Sequence, residues 1–136
     1  MPGLPAVNFL AVLVAGCGAF LLGGAYWALL ANRLMKALGS PVDTARMPAQ
    51  ALVIAFVTRT AQALAIAMLI SYSAAEGILG GAVVGGAACI GFVLPIMAGQ
   101  AALGPPWGSW PRLLVGAPEV LAGFIVAGAI IGAWNN

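Results

Sequence analysis

The chain of 136 residues is 63% hydrophobic and 6% charged, with a net charge of +2 and no histidine. Soluble domains carry about 25% charged residues and bury only about two-thirds of their surface at this size, so a water-soluble fold is excluded. The small net charge, without any basic run, gives no footing for a nucleic-acid partner, and the length suits a single unit, residues 1–136.

A membrane helix needs about 20 mostly apolar residues. The first such run covers roughly 6–31. Within it, "LVAGC", Leu13 to Cys17, has the small-residue-then-cysteine pattern of a lipoprotein cleavage site. No Lys or Arg precedes it, and the following residues stay apolar, so an uncleaved helix is expected. The helix should continue to about Leu38, carrying Arg33 and Lys36 out of the bilayer, and stop at Gly39. In "SPVD", Ser40 reads as an N-cap, Pro41 as the first position and Asp43 as the third.

The second span runs over roughly 48–72 and opens at Pro48. Arg59 lies about 11 residues in, or roughly 16 Å at the helical rise, near the bilayer centre. Gln62 shares its face and Thr58 borders it. The third span, roughly 75–103, carries Gly77, Gly81 and Gly85 at intervals of four, an adjacent row through Gly86, and Pro95, which removes a ladder hydrogen bond. Its end holds Gln100. The fourth span, roughly 113–134, contains Pro118 and Glu119, then Gly123, Gly128 and Gly132. These runs predict an all-α membrane protein: four transmembrane helices in an antiparallel bundle.

Arg33, Lys36, Arg46 and Arg112 fall in the first and third loops, whereas the second loop holds only Glu76. Basic residues mark the cytoplasmic side, so both termini should lie on the non-cytoplasmic side. Tyr26, Trp27, Trp107, Trp110 and Trp134 stand near span ends and read as interface anchors, since amphipathic rings favour the headgroup level.

A charge in the bilayer must face the bundle interior or water. Glu119 lies about 10 Å from the same side, which arginine's stem can nearly match in depth. We read Arg59 and Glu119 as a pair, with Gln62 and Gln100 completing a polar cluster. An anion site, a proton relay or snorkelling to headgroups stay open as alternatives. Helices in lipid associate through small residues, so the glycine faces have two readings: packing within the bundle, or contact with a second copy or another protein. Cys17 and Cys89 fall in apolar runs and read as small hydrophobes, and without histidine no metal or cofactor ligand set forms. No base and acid pair suggests an enzyme.

The two ends of the chain carry a resemblance. "NFLAVLVAGCGAFLLGGAYW", Asn8 to Trp27, resembles the first helix of a family of small bacterial membrane proteins catalogued as domain of unknown function seventeen sixty-one. Asn8, Leu10, Ala11, Val12, Leu13, Val14, Ala15 and Gly23 stand at matching places, while Phe9 replaces a tryptophan and Tyr26–Trp27 reverses an aromatic pair. "GAIIGAW", Gly128 to Trp134, is similar to the family's ending. The middle helices match only in hydrophobic pattern, and a His often found early in the family's last helix is Glu119 or Val120 here. The resemblance implies a multi-pass protein of the bacterial inner membrane and brings no activity.

Two function classes follow. The first is a structural or accessory protein of the lipid bilayer that packs with itself or with other membrane proteins. The alternative is a small transporter or channel with its site at Arg59 and Glu119. It is similar in size to small multidrug transporters, but it lacks their acidic residue in helix one.

Overall fold

The computed structural model describes residues 6–41, 47–106 and 108–134. Four helices among them are long and apolar enough to cross a membrane: α1 (Phe9–Ala37), α2 (Ala49–Ser73), α3 (Gly77–Leu103) and α4 (Trp110–Trp134). The chain is an all-helical, multi-pass membrane protein. The expected roles of Asp43, Arg46 and Trp107 lie outside the described residues.

Local chemistry sets the ends. Asn8 caps α1, its Oδ1 accepting from the Leu10 and Ala11 N–H groups at 3.1 and 3.3 Å. Gly39, at φ 73°, follows the end of α1. Pro48 caps α2 without a side-chain bond, and Ala74 ends it in the left-handed region at φ 50°. Gly77 at φ 71° begins α3, and Gly104 at φ 71° ends it, a backbone that favours glycine at both places. Ser109 Oγ accepts from the Arg112 N–H at 3.3 Å and caps α4. Trp110 is therefore the first helical residue of α4, because the cap lies one residue before it.

α4 is the hub. It packs most extensively on α3, next on α1, and also touches α2; α1 and α2 form the remaining broad contact, and α2 meets α3 only lightly. The α3–α4 seam is backbone on backbone. A Cβ on Gly81 would fall on the Gly128 carbonyl, and one on Gly85 on the Phe124 carbonyl. A Cβ on Gly132 would meet the Gly77 carbonyl and lie 3.0 Å from Gly81 Cα. Gly86 faces the Ile125 side chain instead, at ordinary van der Waals distance of 3.4 Å. Thus Gly77, Gly81, Gly85, Gly128 and Gly132 are occupied by one another within this chain.

Two stretches depart from α geometry. Trp27–Ala31 in α1 and Cys89–Val93 in α3 are π-helical. The buried row of α1 runs Ala11, Ala15, Ala19, Gly23, Ala31, Met35, always at multiples of four. In α3 it runs Gly81, Gly85, Cys89, then Ala101. A four-residue row drifts about 40° per step around an α-helix. One wide turn winds the helix back and returns the row to its neighbour. In α3 that turn ends directly before Leu94 and Pro95, so the expected disturbance at Pro95 takes the form of a register change in the ladder, and the helix continues to Leu103.

Two apolar clusters fill the bundle. The larger is built on Ile66, Ile70, Ile131, Phe124 and Cys89. The smaller joins Ala31, Met35 and Val115 under Tyr26 and Trp27.

Candidate functional site

Arg59 of α2 and Glu119 of α4 lie between the two clusters. On α4, Glu119 falls between Val115 of one and Phe124 of the other. Its inward row, Val115, Glu119, Gly123, Ala127, Ile131, is buried throughout. Arg59 Nη2 donates to Glu119 Oε1 in an ion pair. The side chains are 17% and 3% exposed, so the carboxylate is sealed while the guanidinium retains an open flank. Arg59 Nη1 also reaches Gln62 Oε1 at a long 3.4 Å, the expected i, i+3 neighbour on one helix face.

Two glycines make room for the pair. A Cβ on Gly23 of α1 would stand 2.6 Å from Glu119 Oε1 and 3.6 Å from Arg59 Nη2. A Cβ on Gly123 of α4 would stand 3.5 Å from Arg59 Nη1. Sequence reasoning missed this role for both. The signal was available: a guanidinium inside a thin bundle needs small residues on the facing helices. Gly16 similarly admits Thr60, which back-bonds to the Phe56 carbonyl at 3.0 Å.

Other expected members lie elsewhere. Gln100 is exposed and does not join the cluster; it lines a separate small cavity with Met97, Ser109 and Arg112. Its position near the end of α3, where the loop at Gly108 folds back on it, turns it to that side. Thr58 is exposed and bonds its own helix at Ile54 O, 2.7 Å away. Tyr26 and Trp27 are part-buried against α4. Tyr26 Oη donates to the Val115 carbonyl at 2.7 Å. That carbonyl adjoins Leu114, whose own ladder donor is missing because Pro118 has no N–H. Trp110 and Trp134 are 55% and 44% exposed at the two ends of α4. Cys17 is exposed and Cys89 buried, and both are free thiols. Among the described residues no group of three or more His, Cys, Asp or Glu side chains could hold a metal.

A cleft of about 240 Å³ opens beside the ion pair, bounded by Phe20, Gly23, Gly24 and Trp27 of α1, Met47 and Ala55, and Arg112 and Glu119 of α4. Arg59 lines it as well, so it holds two guanidiniums against one carboxylate.

Residues 10–132 match a family described as a protein of unknown function, DUF1761. The chain belongs to this family. The match spans all four helices, so the resemblance at the two ends extends through the middle of the chain. No curated protein and no solved structure matches the chain. DUF1761 membership therefore supplies a lineage without an activity.

Proposed function

We propose that this chain is a structural or accessory protein of the bacterial inner membrane, a single antiparallel four-helix unit that performs no covalent chemistry and packs against another membrane helix. Opposed helix directions for α3 and α4 are supported by the pairing of Gly77 with Gly132 and of Gly85 with Phe124. Arg33, Lys36 and Arg112 gather at one end of the bundle, since α1 near Met35 packs on α4 at Val115. That end is the cytoplasmic one in this reading, with both termini opposite.

The observation that carries the packing role is the outer side of α3. The glycines of its inner row are already engaged with α4. Outside them, Ala87, Gly91, Pro95 and Gly99 are all exposed, and a Cβ on Gly91 or Gly99 would meet nothing within 4 Å. Close backbone approach through small residues is what joins helices in lipid, where apolar burial alone gives little drive. Gentle extraction from membranes at native expression, followed by sizing, tests the reading. A particle heavier than one chain, made of copies or of other proteins, is expected. A lone monomer would overturn it.

A further inference from the structure

We propose that the cleft beside Arg59 and Glu119 binds an anionic amphiphile, with a phosphate or carboxylate head between Arg112 and Arg59 and an apolar tail along Phe20 and Trp27. The site is independent of the outer face of α3 on which the packing role rests.

Charge comes first. The cleft carries one guanidinium more than it has carboxylates, and among the described residues Arg112 makes no ion pair. Arg59 commits Nη2 to Glu119 and makes only a 3.4 Å contact with Gln62, leaving further N–H donors on a side chain that lines the cleft. A partly desolvated guanidinium favours an added anion, and a planar donor fork suits phosphate or carboxylate.

Shape comes second. The cleft exists because Gly23 and Gly24 present no side chains and Ala55 is small. Gly24 has open space where its Cβ would be. From Arg112 to Glu119 the cleft follows α4 for about 10 Å. It begins at the basic end of the bundle and leads towards the level of the ion pair.

Chemistry of the walls comes third. Phe20, Trp27 and Met47 offer a bare inorganic anion nothing to bond, whereas a neutral hydrocarbon would leave the spare guanidinium unsatisfied. An amphiphilic anion meets both needs. The same head chemistry belongs to a membrane lipid and to a soluble amphiphile.

The test uses the full chain in nanodiscs of zwitterionic phosphatidylcholine, with radiolabelled dodecyl phosphate as probe and empty discs as blank. Saturable binding is expected. Gly24→Leu, which fills the cleft, should abolish saturable binding, and Arg112→Gln, which removes an exposed charge at its mouth, should weaken it about tenfold, the worth of one charge-assisted contact. Val83→Leu, on the exposed face of α3, should leave it unchanged. If Gly24→Leu does not fold, Arg112→Gln alone carries the comparison. Competition by phosphatidylglycerol built into the discs would make a lipid headgroup the source. Probe binding without that competition would make it a soluble amphiphile. No saturable binding above the blank, wild-type affinity in both cleft variants, or full competition by inorganic phosphate at the probe's concentration would overturn the proposal.

Discussion

Ala74 ends α2 at φ 50°, a backbone that costs an L-residue with a side chain roughly 1–2 kcal/mol. Glycine would sit there without that cost, offset in part by its freer unfolded chain. Ala74→Gly should therefore raise stability by about 0.5–1 kcal/mol in thermal unfolding in mild detergent. A loss would show that the turn does not impose this conformation. The ion pair carries a larger expected effect. Removing one partner of a buried pair costs about 3–5 kcal/mol, because the other charge is left without compensation. Glu119→Ala should lose about that much. The double variant Arg59→Met with Glu119→Leu should lose less than Glu119→Ala does. A loss of about 1 kcal/mol or less in Glu119→Ala would mark a solvent-screened pair. Arg59 and Glu119 were legible in the sequence because a charge near mid-bilayer demands a partner at similar depth. Gln100 was misplaced because depth along a helix says nothing of azimuth. The exposed side of the last turn of α3 is decided by how the loop at Gly108 folds back.

The spans themselves were legible in runs of apolar residues. Helix-to-helix fit was less so. The glycine spacing announced close approach, but either a neighbour within the chain or a second chain satisfies it. The structure assigns Gly81, Gly85, Gly128 and Gly132 to the internal seam. Alanine there drives a methyl into backbone, not into a side chain that can turn aside. Gly81→Ala and Gly128→Ala should each destabilise the fold by about 1–3 kcal/mol, the usual cost of overpacking. Gly91→Ala and Gly99→Ala should be neutral or slightly stabilising, since alanine is the better helix former by about 1 kcal/mol. Equal losses at inner and outer glycines, by unfolding in detergent, would contradict this division. The π-helical turns were not legible. Their cause is a buried row at every fourth residue, and in α1 that row shows only once the burial of Ala31 and Met35 is known.

At the scale of the molecule, α4 holds the bundle together, touching α1, α2 and α3, and its buried residues are glycines and Ala127, the larger Val115, Phe124 and Ile131, and one carboxylate, Glu119. The weak α2–α3 contact leaves an apolar groove open to lipid there. Family membership was legible at the two ends, where Asn8 caps α1 and the glycines of "GAIIGAW" seat α4 on α3. The function was not, since the family these ends point to carries no assigned activity. In the proposed role the inner glycines build the fold while the outer row of α3 receives another helix. The most direct measurement is sizing after gentle extraction, for the wild type beside Gly91→Leu and Gly99→Leu. A heavier wild-type particle is expected, with variants that remain folded but run as single chains. A wild type already running alone, or variants that keep the full assembly, would contradict it.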